Sequence, residues 1–336
     1  LTVSASMRQF DAESFLDGFS GTVWWPCGGG PSAAAQAASG VYRPQNNYGA
    51  DCVDANRVTA SKDEVYRVTG EWALNEDLMV YGAWGEGYRP GGLNRFCSVG
   101  NTADYGGQGR DDATGAQCDF TPDFLTSYEV GIKATLLDGR MQVNASAFLQ
   151  DWDNFQFSRL DTSISPVTLT YNIGQAKSDG FEADFSLMLT ETWSLTGAAS
   201  YIQAELSQDY FKSDGLAAPT AASGTPLPRV PEVKWNLSTR YGFNTDWFMQ
   251  ASYIYTGSSY NNLFDGGSLQ TKRYKQGDYQ ILNASVGIDR DSWVAEMYVR
   301  NLTDERGEVF RNAVNWDDRV MTNRPRTIGT RVSFRF

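Results

Sequence analysis

The sequence predicts an all-β protein: an antiparallel transmembrane β-barrel, of which about twelve strands lie in this chain. Three observations predict it. Apolar and polar residues alternate in segment after segment, tight and long connections alternate along the chain, and aromatic residues bracket the apolar stripes.

The alternation comes first. In WSLTGAASY, Trp193, Leu195, Gly197, Ala199 and Tyr201 oppose Ser194, Thr196, Ala198 and Ser200. VKWNLSTRYGF sets Val233, Trp235, Leu237, Tyr241 and Phe243 against Lys234, Asn236, Ser238 and Arg240. YEVGIKATL sets Tyr128, Val130, Ile132, Ala134 and Leu136 against Glu129, Lys133 and Thr135, and WVAEMYVR sets Trp293, Ala295, Met297 and Val299 against Glu296 and Arg300. One face is apolar and nearly free of charge, which is the period of a strand and not of a helix. Four Asn-x-Ser/Thr triplets begin at Asn144, Asn236, Asn283 and Asn301. The first three lie inside alternating runs, where they spell the strand period, so glycosylation is discounted.

These runs predict strands at 1–11, 63–74, 78–90, 124–137, 140–159, 167–190, 193–208, 231–244, 246–262, 277–289, 293–311 and 325–336. Several are far longer than the strands of globular sheets. At about 3.3 Å per residue, a ten-residue strand tilted by about 40° crosses roughly 25 Å of hydrocarbon.

Their connections fall into two sets. NED at 75–77, DG at 138–139, TET at 190–192, NTD at 244–246 and RDS at 290–292 are tight. The stretches 12–62, 91–123, 209–230, 263–276 and 312–324 are long, and only the one near 160–166 is short among them. A membrane barrel has short turns on one side and long loops on the other, whereas a sandwich or propeller scatters its long loops. Trp193 and Tyr201 bracket one apolar stripe, Trp247 and Tyr255 a second, and Trp293 opens a third. Amphipathic rings are expected where hydrocarbon meets headgroups. The closing RVSFRF is then the last strand, facing lipid with Val332, Phe334 and Phe336. Its free edge must pair, because unsatisfied backbone groups in lipid cost several kcal/mol each.

Composition narrows the function. Across 336 residues the net charge is −12, against nucleic acid as a partner, since phosphate backbones demand a basic face. There is no histidine, which removes His-dependent triads and histidine metal sites, and no other metal site or cofactor is predicted. No apolar run reaches the length of a membrane helix. A mean hydropathy of −0.42 still suits a barrel with a polar interior. Leu1 opens inside LTVSASMRQF, which already alternates, so the chain reads as a fragment or processed piece. Cys27, Cys52, Cys97 and Cys118 fall as two pairs in long polar loops, which reads as two disulfides in an oxidising compartment. The local pairing is the simplest of three connectivities.

Several segments, in order, are similar to one known family: YGAWGEGYRPGGLN (81–94), TPDFLTSYEVGIKATLLDGRMQVNASAF (121–148), YNIGQAKSDGFEAD (171–184), NLTDE (301–305) and RPRTIGTRVSFRF (324–336). They resemble the C-terminal half of TonB-dependent outer-membrane receptors. The resemblance implies a 22-stranded barrel, of which residues 1–336 form the C-terminal portion, with a plug domain and ten earlier strands absent from this sequence. It implies the outer membrane of a Gram-negative bacterium, lipid and lipopolysaccharide as neighbours, and coupling to TonB through the absent part. It also implies active uptake of a scarce, bulky nutrient such as a ferric siderophore, with no enzymatic chemistry.

Ligand capture would fall to rings and polar groups of the long loops: Trp24, Trp25, Tyr42, Tyr48, Tyr88, Arg89, Asn94, Arg95, Trp152, Tyr210, Tyr260 and Trp316. Packing of loop on loop is the alternative role for each. For Arg89 a structural ion pair is favoured over an anionic ligand. Glu129 with Lys133, and Glu296 with Arg300, read as charges of the barrel's inner wall that pair or meet the plug. The competing functions are a passive channel formed by a closed twelve-stranded barrel, an outer-membrane phospholipase, and a soluble carbohydrate-binding module. The phospholipase would need a histidine that this chain lacks, and the soluble module has no use for the loop asymmetry or the terminal strand.

Overall fold

The computed structural model describes residues 1–18, 55–94, 110–111, 116–117, 119–159, 168–211, 217–243, 246–265, 272–314 and 317–335. Twelve strands form one sheet with every neighbour antiparallel. They are β1 (Thr2–Gly18), β2 (Ala55–Ala73), β3 (Leu78–Arg89), β4 (Asp123–Leu136), β5 (Met141–Asp153) and β6 (Ala176–Thr190). The series continues with β7 (Trp193–Leu206), β8 (Val233–Gly242), β9 (Trp247–Thr256), β10 (Tyr279–Arg290), β11 (Trp293–Arg300) and β12 (Thr327–Phe334). Spatial order follows chain order, so each strand pairs with the one before and the one after it. Among the described residues β1 pairs only with β2, and β12 only with β11, which leaves both sheet edges open.

The tight connections all gather at one end of the sheet and the long ones at the other, as the alternation requires. Asp138 (φ 55°) and Gly139 (φ 84°) make a two-residue turn closed by Arg140 N–H donating to the Leu137 carbonyl at 3.2 Å. Positive φ at both central residues is what Asp-Gly supplies to a hairpin.

Strand ends depart from the sequence expectation in several places, among them the run 246–262, which stops at Thr256 while Ser259–Tyr260 pairs with Lys275–Gln276. The run 140–159 breaks at Asn154 (φ 58°) and the run 167–190 at Gly174 (φ 95°). Their outer parts, Gln156–Arg159 and Leu169–Asn172, pair with each other as a separate hairpin. The run 293–311 stops at Arg300, where Asn301 (φ 53°) and Asp304 (φ 56°) turn the chain aside. Glu308–Val314 then pairs with Asp317–Thr322. The first long connection is also shorter than 12–62, because β1 runs on to Gly18 and β2 starts at Ala55.

Register sorts the side chains onto two faces. Trp193 lies opposite Tyr241, Tyr241 opposite Met249, Met249 opposite Val286, Val286 opposite Met297, and Ala295 opposite Val332. This apolar face has no protein cover: Val130 is 62% exposed, Met297 58%, Val332 57% and Phe334 66%. Aromatic rings edge it towards the tight-turn end, where Trp193 meets Tyr241 at 6.0 Å and Phe243 stacks with Trp247 at 6.2 Å. Towards the long-loop end Trp235 stacks with Tyr253 at 4.9 Å. A bare apolar sheet face with ring borders fits hydrocarbon as its solvent. Among the described residues no helix is long and apolar enough to cross a membrane.

The opposite face is polar. Tyr81 Oη donates to Glu129 at 2.5 Å, Asn144 donates to Asp184 at 3.0 Å, and Arg335 and Arg240 meet Asp289 at 2.9 and 3.5 Å. Two expected pairings are corrected here. Glu129 is bonded to Tyr81, while Lys133 lies over the Tyr81 ring. Glu296 meets Arg331 of the adjacent strand at 3.9 Å, and Arg300 lies over Tyr298. Cross-strand neighbours on one face sit closer than residues four apart along one strand, so the adjacent strand supplies the partner.

Candidate functional site

The buried core of the described residues lies at the long-loop end, not across the middle of the sheet. Phe155, Leu169, Tyr171, Ile173 and Ala176 from the β5–β6 region pack with Leu206, Ala221 and Leu227 around the β7–β8 connection and with Leu263 and Phe264 after β9. Leu206 and Leu263 are fully buried. In LTYNI the residues Leu169, Tyr171 and Ile173 alternate, so one side of this short hairpin enters the core and the other faces out. The long connections therefore share an interior and stand as one rim.

Two polar clamps tie the rim to the sheet. Arg89, the last residue of β3, grips Asp123, the first of β4, through Nε at 3.0 Å to both carboxylate oxygens and through Nη2. Asp123 has no exposure, and it also accepts the Gln156 backbone N–H at 2.9 Å. The Arg89 guanidinium continues to the Gln156 carbonyl at 3.0 Å and lies 4.8 Å over the Trp152 ring. Asn94 forms the second clamp: its amide donates to the Thr170 carbonyl and accepts from the Thr170 N–H, both at 2.8 Å. Between the clamps, Gly91 and Gly92 let the chain press on Phe120, where an added Cβ at either would come within 2.6 Å.

Further along the rim, guanidinium groups lie on rings. Arg273 sits 3.6 Å over Tyr260, Arg311 4.1 Å over Tyr274, and Arg229 4.4 Å over Phe310. Arg273 also donates to the carbonyls of Asn262 and Pro226 at 3.1 and 3.2 Å, and burial holds its basicity below the usual guanidinium value. Such stacks are worth about 0.5–2 kcal/mol each according to desolvation. NLTDE has a structural role: the Asn301 amide donates to the Glu305 and Arg324 carbonyls at 2.9 and 3.0 Å and accepts the Glu305 N–H at 2.9 Å. With that amide buried and engaged, Asn301 is no glycosylation site.

Of the residues predicted to meet ligand, the structure brings Arg89, Asn94 and Trp152 into one part of the rim. Tyr88 stands at its β1–β2 side, stacked on Phe10 with its hydroxyl 2.8 Å from Ser61. Tyr210 packs beside Phe264, and Tyr260 lies under Arg273. Trp24, Trp25, Tyr42, Tyr48, Arg95 and Trp316 lie outside the described residues, as do Cys27, Cys52, Cys97, Cys118 and Phe336. Sequence reasoning missed Asp123, Gln156 and Arg273. For Asp123 a signal existed, since it opens the strand that pairs with β3 and stands opposite Arg89.

A bare apolar face, a polar face behind it and a knitted rim at one end define the wall and mouth of a transmembrane β-barrel. The sequence matches the model of the family described as TonB dependent receptor-like, beta-barrel, over residues 32–302. The chain belongs to that family and is an outer-membrane protein of a Gram-negative bacterium. It is 30% identical over 207 residues to the metal-pseudopaline receptor CntO of Pseudomonas aeruginosa, covering 55% of this chain and 27% of that protein. To the catecholate siderophore receptor Fiu of Escherichia coli K12 it is 23% identical over 265 residues, covering 78% of this chain and 30% of that protein. The crystal structure of Fiu in its closed form superposes with a TM-score of 0.67 at 19% identity, covering 98% of this chain and 41% of that one. The ferric yersiniabactin uptake receptor FyuA of Yersinia pestis gives a TM-score of 0.63 at 18% identity, covering 84% and 39%. The chain thus spans about a quarter to a third of the length of the curated relatives it matches. These relatives are all named as receptors.

Proposed function

We propose that this chain serves in TonB-dependent uptake of a bulky metal chelate, such as a ferric siderophore, across the outer membrane. The single observation that carries this reading is the rim. Three long connections share one buried core, and Arg89–Asp123 and Asn94–Thr170 tie the ends of β3 and β4 to it, so a capture surface stands ready before ligand arrives. Preorganisation of that kind lowers the entropic cost of binding a large ligand. Siderophore and metal receptors among the relatives support the same reading.

On this reading residues 1–336 form the C-terminal portion of a single, larger barrel. The open edges of β1 and β12 pair with further strands, and a plug fills the interior. TonB acts through parts beyond this chain. The apolar face meets lipid, with lipopolysaccharide around the long-loop end. Trp152 and Tyr260, half-buried with guanidiniums on their faces, are proposed as ligand-stacking rings. Tyr88, Trp24, Trp25, Tyr48, Arg95 and Trp316 are proposed as further contacts. Arg89 and Asn94, whose polar atoms are taken up in the clamps, hold this surface in place.

The test uses the full-length gene product in iron-starved cells, with radiolabelled iron offered as the ferric 2,3-dihydroxybenzoate complex and as ferric citrate, and nickel as its nicotianamine chelate. Accumulation of at least one chelate that disappears on deletion of either the receptor gene or tonB is the expected result. Accumulation independent of tonB would mean a passive channel, and no accumulation of any of the three would equally overturn the reading.

A further inference from the structure

The polar face carries six large aromatic residues on β3–β12: Tyr81, Phe148, Trp152, Phe248, Tyr279 and Tyr298. Five of them lie on a glycine. Tyr81 faces Gly131, Phe148 faces Gly180, Phe248 faces Gly287 and Tyr298 faces Gly329, each directly opposite in register. Tyr279 covers Gly307 of the connection after β11. An added Cβ would come within 2.5 Å of the ring at Gly131, Gly287 and Gly329, and within 2.9 Å at Gly180. The exception, Trp152, belongs to the rim, where it lies edge-on to Phe155.

Tyr81, Phe148, Phe248 and Tyr298 therefore each occupy the space a side chain would take on the next strand and lie along the wall. Cations cover three of them. Lys133 Nζ is 5.8 Å from the Tyr81 ring centre, the Arg240 guanidinium 3.7 Å from Phe248, and the Arg331 guanidinium 6.0 Å from Tyr298. Tyr81 is also pinned at its hydroxyl by Glu129. Glycine inside a strand weakens it; among the described residues the seat occurs once on the apolar face, where Phe185 lies over Gly197, and its repetition on the polar face calls for a role there.

We propose that these glycine–ring inlays set the clearance of the transport path: they keep bulky side chains flat against the inner wall so that cargo captured at the rim can pass. This rests on the uptake reading above. A methyl group at Gly131 or Gly329 meets only ring and hydroxyl atoms and drives its ring off the wall, because overpacked rings move before the sheet does, whereas at Gly287 it would also strike the Ala295 carbonyl. The rim is untouched by such a change, so capture and passage separate.

The test compares wild type with Gly131→Ala and Gly329→Ala in the full-length receptor. Assembly is checked by heat-modifiable mobility, and both surface binding and uptake are measured for whichever of the three chelates wild type accumulates. Binding within about twofold of wild type with uptake lower by about fivefold or more is expected, a change in barrier of order one kcal/mol. Removing the ring as well, in Gly131→Ala/Tyr81→Ala, should restore uptake. Wild-type uptake in the assembled glycine variants overturns the inference, as does failure of the double variant to recover. Should the alanine variants fail to assemble, Tyr81→Ala, Phe248→Ala and Tyr298→Ala take their place. They should keep uptake at or above the wild-type rate, and a fivefold fall in uptake at unchanged binding would overturn the inference. Wild type that accumulates nothing defeats the uptake reading itself, and this inference with it.

Discussion

Arg89 holds Asp123 by two arms of its guanidinium while the carboxylate is wholly shut off from solvent. The pair spans the gap between β3 and β4 at the long-loop end, and the Gln156 N–H on the same carboxylate brings in the hairpin after β5.

Asp123→Ala should therefore loosen the rim, not merely remove a charge. It leaves the Gln156 N–H and a guanidinium without their acceptor, and breaking a buried pair costs about 3–5 kcal/mol. The lower end applies because the Arg89 side chain is 44% exposed. Arg89→Lys should recover little, since an ammonium has no two-armed geometry. Faster proteolysis of the 154–175 connection in folded receptor, with the barrel still resistant to detergent, is the expected readout. Unchanged cleavage in Asp123→Ala would show that the apolar core alone holds the rim.

A pH dependence follows from Asp304, just after β11 in the NLTDE turn. Its carboxylate accepts the Arg326 N–H at 2.8 Å and has Arg306 at 3.2 Å. The backbone N–H first, and the neighbouring guanidinium charge second, hold it below the usual 3.8. A depressed value means stabilisation that is present above about pH 3.8 and is lost as pH falls through the lower folded value. Amide exchange of Arg326 should rise over that acidic window in wild type. In Asp304→Asn it should be raised already at neutral pH and lack that acidic step.

The bare apolar face sets a third expectation. Val130 points from the middle of β4 and is 62% exposed. Val130→Arg should cost about 2–4 kcal/mol in a bilayer, by the depth dependence of lipid-facing charges, whereas Val130→Leu should be nearly neutral. Folding yield into lipid vesicles measures both. Equal yields would mean that this face is covered by protein.

The amino-acid sequence by itself determined the strands, their order and their faces. Period-two alternation is written residue by residue, as in Trp193 to Tyr201, and a slip of one residue would send every side chain to the wrong solvent. Turns such as Asp138-Gly139 are equally local, because two adjacent residues supply the backbone angles a hairpin needs. The strand ends and the rim were decided only by tertiary structure. Asn154 and Gly174 break runs that alternate in sequence, because the hairpin between them must bend to bury Leu169 and Ile173. Asn94 and Thr170 are 76 positions apart, and Arg89 and Gln156 are 67 apart. No local pattern announces such a pair, since what selects the partner is the cost of leaving a buried amide or carboxylate unsatisfied once the strands have aligned. The glycine inlays stand between the two cases: each ring and each glycine is visible in the sequence, but only the register lays one upon the other.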